Sequence, residues 1–237
     1  MIVVVGMAFE ARIAAGLGVP VVCGGDGKNL AASLSRAMAA GCGGLISFGV
    51  AGGLAPHLQP GHCIIGSNIL DQDDNHPTDA RWAQRLVRII PGAIHGPIVG
   101  VSQPIAHSDA KRELHASTGA LVVDMESQVV ARAAKQHGVP MAAIRVVVDP
   151  VERTIPQSAL AGALPDGTID PLAVVRSLAR RPRDLIGLIR MAIDTRAAQR
   201  TLMNGAALLG PGLGLLDAPY AAKGALALDG APAPADA

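Results

Sequence analysis

The sequence has few aromatic side chains and little charge. Its 237 residues include two phenylalanines, one tyrosine and one tryptophan, and charged residues make up only 16%, against roughly 25% in average soluble domains. With a net charge of +1, the chain lacks the basic excess and the stacking surface of a general nucleic-acid binder. Because 50% of the residues are hydrophobic, an intrinsically disordered chain is excluded as well.

Cysteines and long apolar runs are also scarce. The three cysteines include no Cys-x-x-Cys pair and the seven histidines have no metal-ligand spacing, so we expect neither a disulfide framework nor a metal site. The apolar residues 2–5 lack the preceding basic segment of a signal peptide. No apolar run reaches the ~18 residues of a membrane span. These absences predict a cytoplasmic protein with reduced thiols.

Short β-branched segments alternate with amphipathic ones along most of the chain. Strand patterns occupy residues 2–5, 19–23, 43–48, 63–65, 69–70, 97–101, 120–123 and 142–148. Helix patterns cover residues 10–17, 29–40, 80–90, 127–137 and 172–202, and the last of these is rich in arginine. The alternation predicts an α/β fold with a mixed, mostly parallel, twisted central sheet flanked by helices. We assign residues 1–202 to a single domain, predict a loop at 71–79, and interpret the Gly/Ala/Pro-rich residues 203–237 as a partly disordered tail.

Two glycine-rich segments follow predicted strands, where open α/β sheets bind ligands. At Gly24–Lys28, clustered backbone N–H groups before a helix favour an anion or a polarised hydroxyl, although a tight turn is the commoner reason for such glycines. At Phe48–Leu54, a loop of small residues would let a flat ligand lie against the main chain, and a plain turn explains the segment equally well. The first segment matches neither the dinucleotide nor the P-loop motif, which disfavours a nicotinamide-dependent Rossmann enzyme.

Two acidic residues end the predicted strand at 120–123. Asp124 and Glu126 are separated by one residue and therefore point to the same side of an extended chain. We interpret Asp124 mainly as the cap of the helix that follows. Glu126 is the better candidate for accepting hydrogen bonds from the two hydroxyls of a ribose, with Met125 packed on the sugar ring.

Two further acids lie near the same predicted edge of the sheet. Asp149 ends a strongly apolar strand, where desolvation would raise its pKa and suit it to general acid catalysis. The alternative is a capping aspartate in an Asp-Pro turn. Glu10 follows the first strand, and taken alone it is an ordinary acid in the first turn of a helix.

Five short motifs stand in order along the first part of the chain. They are G-x-x-x-E at Gly6–Glu10, G-x-G-K at Gly25–Lys28, G-x-A-G-G-L at Gly49–Leu54, V-D-M-E-S at Val123–Ser127 and R-x-x-x-D at Arg145–Asp149. The combination resembles the superfamily of nucleoside phosphorylases and 5′-methylthioadenosine/S-adenosylhomocysteine nucleosidases. The V-D-M-E-S form, the Val-Asp-Pro ending and the arginine-rich helices are most similar to the hopanoid-associated phosphorylases, which are linked to removal of adenine from adenosylhopane.

The resemblance implies a role for each matching residue. Asp149 would protonate the purine at N7 as the general acid, and Glu10 would activate water. Glu126 and Met125 would contact the ribose, and Gly49, Val50, Ala51 and Gly52 would contact both base and sugar. Pro104 and Ile105 would lie over the purine. Gly25 and Gly27 would hold the nucleophile, either water or phosphate. Pro104 replaces an aromatic cover of the nucleosidases and Val148 replaces a serine, so we expect an open, aliphatic pocket with room for a bulky 5′ substituent.

The expected function is cleavage of the N-glycosidic bond of an adenosyl compound, with adenine released by hydrolysis, on adenosylhopane in hopanoid biosynthesis. Phosphorolysis is the first alternative, because Arg12 and the glycine loop could bind phosphate as co-substrate. A non-catalytic nucleoside-binding or lipid-binding protein is the second. No cofactor and no nucleic-acid partner are expected. The resemblance implies a homo-oligomer, and the basic helix at 172–202 either packs on the domain or contacts the inner face of a membrane.

Overall fold

The structure, a computed structural model, describes residues 1–24, 27–72, 74–164, 167–210 and 212–215. Its strands are β1 (Ile2–Val5), β2 (Val21–Cys23), β3 (Leu45–Gly53), β4 (Cys63–Asp71), β5 (Asp74–Pro77), β6 (Ile94–Gly100), β7 (Val122–Asp124) and β8 (Met141–Asp149). Its helices are α1 (Ala8–Ala15), α2 (Gly27–Met38), α3 (Ala80–Ile89), α4 (Ser108–Thr118), α5 (Ser127–His137), α6 (Gln157–Leu160), α7 (Pro171–Arg180) and α8 (Asp184–Leu209).

The strands form one mixed sheet in the order β2-β1-β3-β7-β6-β4-β5, and β8 pairs with both β3 and β4. The pairs β1/β2, β1/β3, β3/β8, β4/β6 and β6/β7 are parallel, whereas β3/β7, β4/β5 and β4/β8 are antiparallel. The predicted α/β fold with a mixed, mostly parallel sheet is therefore confirmed. The parallel register of β3 with β8 sets Gly49 beside Arg145 and Gly52 beside Asp149.

Helices cover both faces of the sheet and bury a core on each. On one face, Leu30 and Leu34 of α2 and Val130 of α5 pack against strand residues. On the other face, Trp82 of α3 and Leu202 of α8 do the same. This two-sided burial explains why several strands read as continuous apolar runs rather than as alternating ones.

Local signals in the sequence set the ends of several helices. Asp79 precedes α3 and accepts a hydrogen bond from the Trp82 backbone N–H at 2.8 Å. Gly138 ends α5 with a φ of 64°, a conformation that glycine adopts at little cost. Asp170 caps α7 by accepting from Leu172 N and Ala173 N.

Five segments differ from the sequence-based prediction, and one of them is the short helix α6, which the sequence does not predict. Gly49–Gly53 is not a loop but the end of β3, because β8 and β7 pair with it on its two sides. The predicted loop at 71–79 contains β5, which forms a hairpin with β4. The predicted helix at 172–202 is two helices, α7 and α8, and α4 was not predicted.

The C-terminal part continues past the predicted domain boundary at residue 202. Helix α8 runs to Leu209. Beyond it, Leu213 is buried, and its carbonyl oxygen accepts a hydrogen bond from Trp82 Nε1 at 2.7 Å. The rest of the predicted tail, 216–237, lies outside the described residues. In the part of the chain that the structure describes, no helix is both long enough and apolar enough to cross a membrane.

Candidate active site

Strand β8 carries the two charged residues around which the candidate site is built. Arg145 and Asp149 lie four positions apart, and the register of β8 with β3 shifts at Val148, between them. The regular alternation of side chains along a strand therefore does not continue from Arg145 to Asp149. The Arg145 side chain is fully buried, and that of Asp149 is 14% exposed. Each of them forms ion pairs with buried residues of opposite charge from other helices and strands. The result is two separate clusters of charged residues.

The first cluster, which we call the Arg145 cluster, contains Arg145, Glu10, Asp124 and Glu126. The guanidinium forms an ion pair through Nε with Asp124 and a longer one of 3.3 Å through Nη2 with Glu126. Nη2 also donates to Ser47 Oγ at 2.6 Å. Burial works against the charge of Arg145, but the surrounding carboxylates raise its pKa.

Asp124 belongs to this cluster as a structural acid. Besides pairing with Arg145, it accepts hydrogen bonds from the backbone N–H and the hydroxyl of Ser127 at the start of α5. The interpretation of Asp124 as a cap of that helix is consistent with these contacts. Its carboxylate is buried, so it also fixes the guanidinium next to it.

Glu10 joins two strand ends. Its Oε2 accepts from the backbone N–H groups of Gly6 at 2.9 Å and Met7 at 2.8 Å, and its Oε1 accepts from Val50 N at 2.7 Å. The residue is only 1% exposed. Burial raises the pKa of Glu10, although Arg145 and the backbone donors act in the opposite direction. It is therefore more than a first-turn acid, because it ties the β1–α1 loop to β3.

Glu126 stands at the start of α5 with its carboxyl group against Gly6. Burial, opposed by Arg145 and reinforced by Asp124 and Glu10, raises the pKa of Glu126 to about 8. Three carboxyl groups thus surround one guanidinium. Because like charges in a buried site resist ionising together, we expect one of the three carboxyl groups to hold a proton near neutral pH.

Two glycines make room for these acids. A Cβ on Gly6 would collide with the carboxyl group of Glu126, and a Cβ on Gly49 would collide with Oε1 of Glu10 and Nη1 of Arg145. That Nη1 has no hydrogen-bond partner among the described residues. A buried donor without a protein partner is unusual and marks a place where a water or a ligand oxygen can bind.

The second cluster, which we call the Asp149 pair, consists of Asp149 and Lys111. Lys111 comes from α4, is fully buried, and forms an ion pair with Oδ2 of Asp149. Its ammonium group also donates to the backbone oxygens of Pro150 at 3.2 Å and Arg153 at 3.1 Å. Three acceptors thus match the three N–H donors of an ammonium group. Burial raises the pKa of Asp149, and Lys111 opposes that rise.

Strand β3 connects the two clusters. Val50 contacts Glu10 through its backbone, whereas a Cβ on Gly52 would lie 3.5 Å from Oδ1 of Asp149. Ala51, between them, is buried in the core. The predicted segment Gly49–Gly52 therefore runs from one cluster to the other, as a strand end rather than as a loop.

The remaining predicted residues border this edge of the sheet. Met125 is half-buried between the two acids of its motif, and Ile105 packs beside Leu54. Pro104 is exposed in the loop between β6 and α4. Gly27 opens α2, and a Cβ there would lie 3.9 Å from Val129 in the first turn of α5. Gly25 lies outside the described residues.

Two surface cavities of about 440 Å³ each lie away from the clusters. One is lined by polar side chains that include Asp74, His76 and Lys135. The other lies between α1 and α8 and includes Arg12. Arg12 is two positions after Glu10 on α1, which turns it by about 200° around the helix. It therefore faces that outer cavity and not the Arg145 cluster.

Sequence reasoning missed the partners of the acids. Arg145 entered only as part of a motif, although an arginine inside an apolar strand already signals a buried ion pair. Ser47 and Ser127 gave no signal. Lys111 is 38 residues from Asp149 along the chain and lies in a polar segment with no marker of burial. No sequence pattern could have linked it to the site.

Comparison with known proteins identifies a matching protein family and several structures with the same fold. The family model described as phosphorylase superfamily matches residues 4–167. No curated protein sequence matches the chain. The solved structures therefore provide the comparison with individual proteins.

Three of the solved structures illustrate the similarity. A putative 5′-methylthioadenosine/S-adenosylhomocysteine nucleosidase from Francisella philomiragia is 16% identical, with a TM-score of 0.61 over 88% of this chain and 95% of that one. Native futalosine hydrolase from Helicobacter pylori is 15% identical, with a TM-score of 0.61 over 87% and 96%. The 5′-methylthioadenosine/S-adenosylhomocysteine nucleosidase of the same organism, with butyl-thio-DADMe-Immucillin-A, is 14% identical, with a TM-score of 0.60 over 87% and 97%. At these identities, the likeness establishes the fold.

Proposed function

The chain belongs to the phosphorylase superfamily, so it is a nucleosidase or a nucleoside phosphorylase, and we propose that it hydrolyses the N-glycosidic bond of an adenosyl compound to release adenine. The observation that carries this proposal is the pair of buried charge clusters along β8, one at its middle and one at its end. One cluster offers a carboxyl group next to a lysine, and the other has an excess of carboxyl groups. Cleavage of the bond by water needs both an acid and a base.

Asp149 is the proposed general acid. As the bond between C1′ and N9 breaks, its electron pair moves into the purine, and a proton from Asp149 to N7 makes the base a neutral leaving group. Lys111 occupies Oδ2, which leaves Oδ1 as the oxygen that would serve the purine, and the whole carboxyl group lies close to Gly52. Burial, by raising the pKa of Asp149, favours the protonated form that a general acid needs.

Glu10 is the proposed general base. A water bound between Glu10 and the unpartnered Nη1 of Arg145 would attack C1′, form the new C–O bond and give its proton to the carboxylate. A raised pKa makes Glu10 a better proton acceptor. Glu126 and Met125 would hold the ribose. We propose that neither a metal nor an organic cofactor takes part.

Charge favours water over phosphate as the nucleophile. Among the described residues, the Arg145 cluster sets three carboxyl groups against a single guanidinium. A phosphate dianion entering there would meet net repulsion. Arg12, the other cation considered for phosphate, faces the outer cavity. Phosphorolysis is therefore the second candidate and not the first.

The substrate we propose is an adenosyl compound with a large apolar 5′ substituent, such as adenosylhopane in hopanoid biosynthesis. Support comes from the exposed Pro104 in place of an aromatic cover and from the resemblance of the motifs. We further propose a cytoplasmic homo-oligomeric enzyme that contacts the inner face of the membrane.

Product analysis with and without inorganic phosphate tests the reaction. The purified full-length protein is incubated with adenosine, 5′-methylthioadenosine and an adenosine with a long aliphatic 5′ chain, and adenine and sugar products are separated. We expect adenine and a free sugar at a rate independent of phosphate. A sugar 1-phosphate as product would overturn hydrolysis. Binding of these compounds without any turnover would support a non-catalytic binding protein instead.

A further inference from the structure

Helix α7 and the first half of α8 turn aliphatic side chains to solvent. Helix α7 buries none of its residues, and in α8 the first buried residue is Asp194. Together we call residues 171–193 the α7–α8 surface. Its exposed aliphatic side chains are Leu172 (54%), Val175 (60%), Leu185 (48%), Ile186 (64%), Ile189 (53%) and Ile193 (59%).

The aliphatic side chains are arranged as stripes rather than scattered. On α8, positions 185, 186, 189 and 193 fall within an arc of about 100° around the helix axis. On α7, Leu172 and Val175 are three residues apart and so lie on one side. A continuous exposed apolar stripe of this kind is a mark of an interaction surface, because single exposed side chains would need no explanation.

Unpaired positive charge surrounds the stripes. Within residues 171–200, which comprise the α7–α8 surface and the next two turns of α8, the exposed arginines are Arg176, Arg180, Arg181, Arg183, Arg190, Arg196 and Arg200. None of them forms an ion pair with another described side chain. The two acids of the region are engaged elsewhere: Asp184 accepts from the backbone N–H and hydroxyl of Ser158, and Asp194 pairs with Arg153. The surface is therefore apolar at its centre and strongly basic around it.

The segment that leads to this surface touches two loops of the candidate site. Ile155 N donates to Ala106 O at 2.9 Å, next to the loop that holds Pro104. Further along, Ala8 N donates to Gly167 O at 3.3 Å, beside the Gly6 loop. The α7–α8 surface is thus connected directly to the rim of the site.

We propose that the α7–α8 surface docks the protein onto an anionic lipid bilayer. Aliphatic side chains would enter the boundary between headgroups and acyl chains, while the arginines bind lipid phosphates. A second copy of the chain fits this surface poorly, because a two-fold contact brings identical patches together and would face one set of arginines with the other. Where the proposed function holds, docking would also present the site to amphiphilic adenosyl compounds dissolved in the bilayer.

Co-sedimentation with vesicles tests the docking. The full-length protein is mixed with vesicles of phosphatidylcholine plus phosphatidylglycerol, and with phosphatidylcholine alone, at low and high salt. We expect binding to the anionic vesicles that weakens about tenfold or more at high salt, and little binding to the neutral ones. The double variant Ile186→Glu with Ile189→Glu, and separately Arg183→Gln with Arg190→Gln, should each lose most of this binding.

Matched variants elsewhere on the surface serve as controls. Met203→Glu with Leu208→Glu changes two exposed apolar residues in the second half of α8. Arg85→Gln with Arg88→Gln removes two exposed arginines of α3. Both double variants should bind vesicles as the wild type does.

Three outcomes would overturn the proposal. The first is that the wild type does not bind anionic vesicles at low salt, and the second is that control and test variants lose vesicle binding equally. The third is that the wild type does not bind vesicles but forms a dimer, which Ile186→Glu with Ile189→Glu converts to monomers. The last outcome would assign the surface to self-association. Vesicle binding does not depend on turnover, so Asp149→Asn should bind like the wild type. Failure of the proposed reaction and failure of docking are therefore separate results.

Discussion

The Arg145 cluster and the Asp149 pair lie on the same strand, yet their charges balance in different ways. Lys111 matches Asp149 with a single opposite charge and three satisfied donors. Arg145 instead faces three acids and keeps one donor without a partner. The first arrangement can hold a carboxyl group in one position and supply a proton. The Arg145 cluster has more carboxyl groups than cations and an N–H donor without a partner. Binding a water and removing its proton would require both features.

The largest effect should come from breaking the Arg145 cluster at its centre. Arg145→Met would leave three buried acids without their cation, and we expect a loss of about 3–5 kcal/mol in the free energy of unfolding. Denaturant unfolding followed by fluorescence of the buried Trp82 measures it. Arg112→Met, which breaks an exposed pair with Asp109, should cost below about 1 kcal/mol. Similar losses for the two variants would show that the Arg145 cluster does not stabilise the fold.

The next effect concerns the acid of the other cluster. Asp149→Asn keeps the shape of the side chain but removes its transferable proton, and kcat/KM for adenine release should fall about 10²- to 10⁴-fold. Steady-state assays of adenine release measure the change. Asp170→Asn, at the cap of α7, is the control and should retain wild-type activity, since asparagine caps helices as well as aspartate does. Activity within a few-fold of wild type in Asp149→Asn would remove this residue from the chemistry.

A smaller and more specific change is expected from Lys111→Met. Without the ammonium group, which holds it down, the pKa of Asp149 should rise further. Because the general acid works while protonated, the alkaline limb of the pH profile of kcat/KM should move to higher pH. Lys135→Met, which removes a half-exposed lysine paired with Asp74, should leave the profile in place. An unchanged alkaline limb in Lys111→Met would contradict the coupling of Lys111 to Asp149.

The residues behind these effects were not equally accessible from the sequence. Asp149, Glu10 and Glu126 are candidates from the sequence alone, because each belongs to a short local motif at or just after the end of a predicted strand. Lys111 could not, since only the packing of α4 brings it to Asp149. Gly49–Gly53 was assigned to a loop because glycine is depleted in strands. Pairing with neighbours on both sides overrides that preference. The order of helices and strands was predicted well, because periodicity is a local property and side-chain pairing across the sheet is not.

The last prediction concerns the pH dependence of stability, which is spread over several pH units. Glu126 has a folded pKa of about 8, raised from 4.5, so between these values the folded state binds more protons than the unfolded state. The free energy of unfolding should therefore fall as pH rises through this window and level off above it. Denaturation at about pH 5 and about pH 9 measures the slope, and Glu126→Gln should flatten it. A wild-type stability that does not fall over this window would contradict the raised pKa of Glu126.

The origin of the oxygen on the sugar product tests the division of labour between the two clusters most directly. The wild-type enzyme is run in water labelled with heavy oxygen and with an excess of inorganic phosphate, and the ribosyl product is analysed by mass spectrometry. The account predicts a free sugar that carries one heavy oxygen at C1. An unlabelled sugar 1-phosphate would contradict it, because the acid-rich Arg145 cluster would then have admitted an anion in place of water.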